Sequence, residues 1–429
     1  MTRRYIIFGI LGGFVIFLFL AATGILPFGG QDTPGRSEKA ILAFWGFKET
    51  RDVWKEIITK FEDANPHIKI SYTQINPSSY EDILINRIAE GKGPDVFMLT
   101  GEQIMKHRDK IFPLPQAAFQ FSADELRRLF VDGFGRDLIL EDGSIIGLPL
   151  FMDSLALFYN RDLFNTAGIA DPAGKTWDEI LAQADRLNIT TPFGDITRSA
   201  IAFGVARNVD NAFEIVSAMM LQKGEVIVRR DTKKTSLGRG SFDAFDFYTG
   251  FANPSKPQFS WTFRLPRSLD AFAAGKTAMV AGFARDVERV RSKNAHLGFG
   301  VVPLPQQKDA PIAITYGSYH FPTVSFLSRN RGIAWQFILF LASREASEIY
   351  AKKTGLPPAR RDLISALTPA PPADVFYRQA LSARSWPVPD AIQTRKIFND
   401  AIDSVAAGNA TPPEAVNRIR TQLDTLLER

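Results

Sequence analysis

The chain has 429 residues, of which 45% are hydrophobic and 23% charged, and its formal charge at pH 7 is +5. This length is too great for one ordinary hydrophobic core, and this composition excludes wholesale disorder. The mild positive charge gives little support to nucleic-acid binding, and the lack of cysteine excludes disulfides, thiolate metal sites, cysteine nucleophiles and lipid attachment at an N-terminal cysteine.

The first thirty residues indicate export. Arg3 and Arg4 precede an uncharged run of 24 residues from Tyr5 to Phe28. As a helix this run would measure roughly 36 Å, enough to cross a hydrocarbon core of about 30 Å. The basic end is expected to stay in the cytoplasm while the rest of the chain lies outside. We favour an uncleaved membrane anchor followed by a tether up to residue 36, with a cleaved signal peptide as the alternative.

The next segment alternates predicted strands and helices. Apolar or alternating runs predict strands at 40–47, 68–72 and 95–99. Stripes of apolar residues at helical spacing predict a helix in each gap. The order β-α-β-α-β at such short spacing favours a parallel sheet with right-handed crossovers. Because ligands bind at the carboxyl ends of strands in open sheets, this pattern singles out residues 45–49 and 100–102.

Helices are the main predicted elements of the later chain. Thr176 and Glu179 have the spacing of a capping box and predict the start of a helix. A strongly apolar helix is expected at 333–350, and it is too short and too interrupted for a second membrane span. Two amphipathic helices are expected at 391–407 and 412–428.

Short strings spread over residues 41 to about 360 carry a family resemblance when they are taken together and in order. They are Asn65-Pro66-His67-Ile68-Lys69-Ile70, Gly93-Pro94-Asp95-Val96-Phe97, Gly147-Leu148-Pro149, Leu157-Phe158-Tyr159-Asn160, Ala167-Gly168-Ile169, Thr176-Trp177-Asp178-Glu179, Ala271-Phe272-Ala273-Ala274-Gly275-Lys276, Val302-Pro303-Leu304-Pro305 and Lys353-Thr354-Gly355-Leu356-Pro357. In this order and spacing the chain resembles the family 1 extracellular solute-binding proteins, the group that includes the maltose-binding protein.

The resemblance implies an α/β fold of the type II periplasmic-binding-protein kind, with a ligand cleft between two lobes. After the N-terminal segment 1–36, one lobe would hold 38–149 with 279–323 and the other 150–278 with 324–429. The implied function is hinge closure around a small-molecule solute, expected to be a sugar or oligosaccharide, and its delivery to the permease subunits of an ABC transporter. The receptor would be an extracytoplasmic monomer that uses no cofactor or metal and catalyses nothing.

The strand ends supply the first candidate ligand contacts. A sugar site needs flat aromatic side chains for stacking and polar side chains for the hydroxyls. Trp45 and Glu49 follow the first predicted strand, and Thr100 and Glu102 follow the third. Asp153 interrupts an apolar run where the chain would cross between lobes, which core packing alone does not explain. The alternatives are a core role for Trp45, a helix cap for Glu102 and a hinge hydrogen bond for Asp153.

Further candidates lie in the later part of the chain. The resemblance implies ligand contacts at Phe283 and in the loop Tyr316-Gly317-Ser318, whose small residues would let a ligand approach the backbone. Arg285 is interpreted as a salt-bridge partner. Trp261 is a candidate from the second lobe, with a buried structural role as its alternative. Trp386 could also reach the cleft, but the sequence does not fix its position.

The sequence gives little support to catalysis. The four histidines have no metal-ligand spacing, and there is no phosphate-binding loop, dinucleotide fingerprint or nucleophile elbow. An exported carbohydrate-active enzyme that uses Glu102 and Asp153 as its pair of carboxylates is one alternative. A membrane-anchored receptor that senses rather than transports is another. A third is the same receptor role for a non-sugar solute such as a polyol, a glycerol phosphodiester, a peptide or a metal.

Overall fold

The computed structural model describes residues 40–169 and 175–428. No helix in these two ranges is long and apolar enough to cross a bilayer. The anchor expected at 5–28 and the tether after it lie outside the described residues. The described chain forms two α/β lobes that are connected through a small three-stranded sheet.

The elements are numbered in chain order. The strands are β1 (Ala40–Gly46), β2 (Ile68–Gln74), β3 (Val96–Thr100), β4 (Ile111–Phe112), β5 (Asp153–Ser154), β6 (Ala156–Asn160), β7 (Ile189–Thr190), β8 (Ile196–Ile201), β9 (Val228–Arg229), β10 (Lys234–Thr235), β11 (Thr277–Gly282), β12 (Phe299–Pro303), β13 (Thr315–Ser318), β14 (His320–Ser325) and β15 (Ala383–Arg384). The helices are α1 (Arg51–Ala64), α2 (Tyr80–Ala89), α3 (Ile104–His107), α4 (Gln116–Phe119), α5 (Ala123–Leu129), α6 (Asp132–Asp137), α7 (Arg161–Thr166), α8 (Trp177–Leu187), α9 (Ala212–Gln222), α10 (Arg239–Gly250), α11 (Ser268–Ala273), α12 (Ala284–Lys293), α13 (Arg331–Leu341), α14 (Arg344–Thr354), α15 (Arg361–Ala366), α16 (Ala373–Gln379), α17 (Ala391–Ala406) and α18 (Pro412–Leu427).

Lobe 1 is built on the sheet β2-β1-β3-β14-β4. Strand β1 is parallel to β2 and β3, as the sequence predicted, whereas β14 is antiparallel to β3. Phe44 of β1 packs edge-on against Trp54 of α1 and Phe337 of α13, with ring centroids 5.1 and 5.5 Å apart. Because β1 and β3 run in the same direction, their carboxyl ends lie side by side at one edge of the lobe.

Lobe 2 is built on the sheet β12-β6-β11-β8-β7. Strand β11 is parallel to β8 and antiparallel to β6, and β6 is antiparallel to β12. Two apolar clusters cover the two faces of this sheet. The larger contains Trp177 of α8 and Phe398 of α17, and the smaller joins Phe158 of β6 to Phe376 of α16. The predicted capping box at the start of α8 is confirmed, since Glu179 N–H donates to Thr176 Oγ1 over 3.3 Å.

The hinge sheet, β15-β13-β5, lies where the chain passes between lobes. Strand β13 pairs Gly317 with Ser154 and Ser318 with Asp153 of β5. Gly317 is closely packed, because a Cβ atom there would lie 2.8 Å from Met152 Sδ. This contact explains the small residue at a position where strands from different parts of the chain meet.

The strand order differs from the lobe bounds that the resemblance implied. Segment 279–323 was expected in lobe 1, but β11 and β12 belong to the lobe 2 sheet, and β14 is the strand that joins lobe 1. Segment 324–429 was expected in lobe 2, but α13 and α14 bury Trp335 and Tyr350 in the lobe 1 core. The helix expected at 333–350 is therefore two helices, and Ser343 caps the second by accepting from Ala346 N–H.

Candidate functional site

Polar side chains from both lobes and from the hinge meet between the lobes. From lobe 1, Glu102 follows β3 and contacts Tyr316 of the hinge and Arg395 of lobe 2. From the hinge, Asp153 contacts Arg285, which follows β11 of lobe 2. Three predicted residues, Glu102, Asp153 and Tyr316, are thus brought together in one interlobe region. We call this region the cleft.

Asp153 binds the start of helix α12. Its Oδ1 accepts hydrogen bonds from the N–H groups of Ser154 (2.9 Å) and Ala284 (2.8 Å), and its Oδ2 lies 3.4 Å from Arg285 Nη1. The Arg285 guanidinium stacks over the Phe283 ring at 4.1 Å. Burial raises the pKa of Asp153 although Arg285 opposes the shift. The hinge hydrogen bond considered from the sequence is therefore present, and it joins the hinge to lobe 2.

Glu102 forms one end of a charged chain across the cleft. Its Oε1 accepts from Tyr316 Oη (2.8 Å), and its Oε2 lies 3.1 Å from Arg395 Nη2. The other amino group of Arg395, Nη1, lies 2.7 Å from Glu214 Oε1 in α9. Burial raises the pKa of Glu102 against the opposing effect of Arg395. The guanidinium also lies over the Phe213 ring at 4.7 Å, so one arginine bridges carboxylates of both lobes.

Glu214 and Arg395 were not identified from the sequence. Glu214 had a usable signal, because it is the one charged residue in the mostly apolar helix Ala212–Gln222. Arg395 had none, since a cation on an amphipathic helix is usually a solvated surface residue. Lys48 was also missed, although it lies within the predicted stretch 45–49. It makes no ion pair with the described residues. Desolvation and the charge of Arg285 lower its pKa, and the charges of Glu49 and Asp153 oppose this shift.

Glu49 turns away from the cleft into lobe 1. Its Oε1 lies 2.7 Å from both His320 Nε2 and Tyr350 Oη, and its side chain is buried. Burial would raise the pKa of Glu49, but His320 and Tyr350 outweigh it and lower the pKa to about 2. Burial lowers the pKa of His320. In this conformation Glu49 is therefore a structural anion of lobe 1 rather than a group that faces a ligand.

The aromatic candidates divide by burial. Trp261 is fully buried, and its Nε1 donates to Asn208 Oδ1 over 3.0 Å inside lobe 2. Phe283 is also fully buried, and Trp386 is 4% exposed. None of these three has an open ring face for a sugar in this conformation. Trp261 therefore has the buried structural role that was its alternative. Trp45 alone among the aromatic candidates stays half-buried.

The short polar candidates lie in the hinge sheet and at the end of β3. Ser318 is half-buried beside Asp153 in the hinge sheet, and Gly317 is buried next to it. Thr100 is half-buried, and its N–H donates to Gln103 Oε1 over 3.0 Å at the turn that follows β3. The cap at this turn is thus made by Thr100 and Gln103, which leaves Glu102 to the interlobe contact. No group of histidine and acidic side chains within the described ranges is arranged to hold a metal ion.

Comparisons with known proteins agree on one group. A sequence model of the family bacterial extracellular solute-binding protein matches residues 47–348. The galactooligosaccharide-binding protein of Bacillus subtilis is 23% identical in a match that covers 94% of this chain and 92% of that protein. The sn-glycerol-3-phosphate-binding periplasmic protein of Escherichia coli is 25% identical in a match that covers 90% of this chain and 91% of that protein.

A solved structure shows the same architecture. The crystal structure of the cyclic alpha-maltosyl-1,6-maltose binding protein from Arthrobacter globiformis has a TM-score of 0.76 to this chain, with 14% sequence identity. The match covers 90% of this chain and 99% of that one. The predicted two-lobe fold of the type II periplasmic-binding-protein kind is therefore confirmed.

Proposed function

The chain belongs to the bacterial extracellular solute-binding protein family, and we propose that it is an extracytoplasmic receptor that binds a sugar or oligosaccharide in the cleft. It would deliver this solute to the permease subunits of an ABC importer. The observation that carries the proposal is the bridge between Glu102 and Arg395, because it joins the two lobes at the strand ends where a ligand would lie.

The charges between the lobes support closure as the binding motion. Besides the pair of Glu102 and Arg395, Lys106 Nζ of lobe 1 lies 2.8 Å from Asp390 Oδ2 of lobe 2. Arg230 Nη2 of lobe 2 lies 2.5 Å from Asp137 Oδ1 of lobe 1. A rotation about the hinge sheet would make or break these pairs together. A ligand that contacts both lobes would shift the equilibrium towards the closed form by its differential affinity.

The exposed groups of the cleft suit a polyhydroxylated solute. Trp45 offers a partly open ring for the apolar face of a sugar, and Ser318 and Thr100 offer hydroxyl groups. Lys48 and Arg285 add donors at the lobe 1 and lobe 2 sides. Their positive charge also suits a ligand with an acidic group, so acidic sugars and sugar phosphates belong in any screen.

We propose further that the solute leaves unchanged. Each carboxylate of the postulated acid pair already accepts hydrogen bonds from the protein, Asp153 from Ala284 and Glu102 from Tyr316. Groups held in this way position the lobes and the ligand. The raised pKa of both carboxyls would also suit a general acid, so the test below includes a search for products.

The placement of the receptor forms part of the proposal. The family is extracellular, and the basic residues and apolar run at the start of the sequence would export the chain and anchor it beside the permease. We propose that it acts as a monomer, because one chain supplies both walls of the cleft.

Thermal unfolding of the purified chain in the presence of candidate solutes tests the proposal. The panel contains mono- and oligosaccharides, acidic sugars, sugar phosphates including glycerol 3-phosphate, polyols and peptides. A saccharide at 100 times its dissociation constant should add about 2.7 kcal/mol of stability and raise the melting temperature. Trp45→Ala should abolish the shift, whereas Phe193→Ala, which removes a ring that is 94% exposed, should leave it intact.

Three results would count against the proposal. Shifts that come only from peptides or polyols would overturn the sugar assignment. A solute that mass spectrometry recovers as shorter fragments would identify an enzyme. Equal loss of the shift in Trp45→Ala and Phe193→Ala would move the site away from the cleft.

A further inference from the structure

A second concave region lies outside the cleft, along the edge of the lobe 2 sheet. It is a cavity of about 1060 Å³ that all five residues of β12, Phe299–Pro303, help to line. Helix α16 and the segment around Gln306 form its other walls. The described strands place β12 at the edge of its sheet, with β6 as its neighbour. Because residues of both faces of β12 line the cavity, the open edge of the strand faces it.

Strand β12 has few of the features that normally protect a sheet edge. Exposed edge strands usually carry charged side chains, prolines or bulges that prevent pairing with another chain. The sequence of β12 is Phe-Gly-Val-Val-Pro, without a charge, and Pro303 stands at its very end. Phe299 and Val302 are half-buried and pack against the two lobe 2 clusters, so the strand is held firmly against its own lobe.

The walls of this groove are positively charged. Arg161, Lys175 and Arg291 line it, are exposed, and have no acidic partner among the described residues. The other charged residues among the described part of the lining are Arg378 and Asp374, whose side chains pair at 2.9 Å. Four cations against one carboxylate give this described lining a net charge of +3. This charge favours an anionic occupant.

We propose that the groove docks an acidic, extended segment of a partner protein, which adds a strand to the edge of β12. The open peptide groups of an edge strand recognise another backbone, and the cations select acidic side chains along it. Five residues of strand extend over roughly 17 Å, which is enough for a short segment. An acidic glycan could use the cations but not the backbone edge, so the uncharged strand favours a polypeptide. Strand β12 and the three exposed cations are not among the cleft residues, so this proposal does not depend on which solute the cleft binds.

Fluorescence anisotropy with a labelled peptide tests the proposal on the purified chain. The probe is a ten-residue peptide of alternating Glu and Val, and its control has proline in place of each valine, so the charge is kept but strand pairing is lost. We expect saturable binding of the first peptide at low salt and binding at least about tenfold weaker for the second. Hydrogen exchange of the β12 amides should slow when the first peptide binds.

Matched variants distinguish the groove from net charge. The triple variant Arg161→Glu, Lys175→Glu and Arg291→Glu should weaken binding at least about tenfold. The control Lys92→Glu, Arg128→Glu and Lys233→Glu changes the net charge equally at exposed cations outside the groove, and it should bind within about twofold of the unchanged chain. If the groove triple does not fold, Lys175→Gln with Arg291→Gln replaces it, with an expected loss of at least about threefold.

The proposal is overturned by any of four results: no binding of the alternating peptide, equal binding of the proline peptide, equal losses in the two triple variants, or unchanged exchange of the β12 amides. Tighter binding of polygalacturonate than of the peptide, lost in the groove triple, would also overturn it and assign the groove to an acidic glycan.

Discussion

Arg395 of lobe 2 lies 3.1 Å from Glu102 of lobe 1, and the same guanidinium lies 2.7 Å from the buried Glu214. One side chain therefore both neutralises a carboxylate inside its own lobe and connects that lobe to the other. Stability and closure are coupled at this residue, and the coupling can be measured.

Arg395→Ala should lower the free energy of unfolding by about 3 kcal/mol, because Glu214 would be left as a buried charge without its partner. Chemical denaturation measures this loss. Lys396→Ala, in the next position of the same helix, breaks an ion pair whose side chains are 73% and 65% exposed and should cost less than about 1 kcal/mol. Similar losses in the two variants would contradict a stabilising role for Arg395. Small-angle scattering should also show a larger radius of gyration for Arg395→Ala, because the contact between the two lobes is lost.

Glu49 should make the chain sensitive to acid. Its folded-state pKa of about 2 lies below the ordinary value of 4.5, so the stability it contributes is present above pH 4.5 and is lost as the pH falls towards 2. The difference corresponds to about 3 kcal/mol. As the pH is lowered from 4.5 towards 2, the free energy of unfolding of Glu49→Gln should decrease less steeply than that of the unchanged chain. Denaturation at several pH values measures this slope. Glu141→Gln, at an exposed position, serves as the control and should keep the original slope.

The sheet of lobe 1 could be predicted because its central strands have continuous apolar sequences, although β3 is buried along most of its length and β1 on one face only. The run 40–47 became β1, and the run 95–99 became β3 with a shift of one residue. The parallel direction then followed from the helices between them. These elements also fixed the strand ends, so Glu102 was found from the sequence at the position where it contacts the other lobe.

The lobe bounds and the role of Arg395 in the bridge to Glu102 could not be predicted, because they depend on contacts between distant parts of the chain. Strand β11 lies between β6 and β8, and no local pattern specifies that pairing. Arg395 is 293 residues from Glu102 along the chain. Trp261 illustrates a different limit, since the same residue type suits a core and a sugar site, and only its burial separates them.

Trp45 and Trp261 should respond in opposite ways to truncation. Trp261→Ala should lower the free energy of unfolding by about 3–5 kcal/mol, because a fully buried ring and its hydrogen bond to Asn208 are removed. Trp45→Ala should cost much less stability but lower the affinity for the solute at least about tenfold. Denaturation and isothermal titration on both variants give the comparison. Loss of affinity in folded Trp261→Ala, with Trp45→Ala unaffected, would reverse the assignment.

Gly317→Ala should destabilise the hinge by about 1–3 kcal/mol. The new methyl group would lie 2.8 Å from Met152 Sδ and 3.1 Å from Ala383 Cβ, so the Met152 side chain would have to move and β15 would have to shift slightly. Gly332→Ala is a matched control, because a Cβ there meets nothing within 4 Å and its position in α13 favours alanine over glycine. The control should be neutral or slightly more stable in thermal unfolding. Equal melting temperatures for the two variants would show that the hinge tolerates the methyl group.

Asp153→Asn should make the folded chain more stable while it weakens solute binding. Burial raises the folded-state pKa of Asp153 above its ordinary value, so the ionised group opposes folding at neutral pH. The stability associated with its protonated form is complete below the unfolded-state pKa and is lost as the pH rises through the folded-state pKa. Asparagine carries no charge, so the variant does not lose this stability at neutral pH. It also lacks the negative charge that interacts with Arg285 and with the N–H of Ala284.

Denaturation at pH 7 and at pH 4 would measure this effect, and the gain in stability should be larger at pH 7. Calorimetric titration should give an affinity at least about tenfold lower, since the cleft loses the carboxylate that joins the hinge to lobe 2. Asp178→Asn, at an exposed position of α8, is the control for both measurements. A variant at position 153 that is less stable at pH 7 but binds the solute normally would assign Asp153 to the hinge alone. The combination of higher stability and lower affinity would indicate that this carboxylate is kept for binding at the expense of folding.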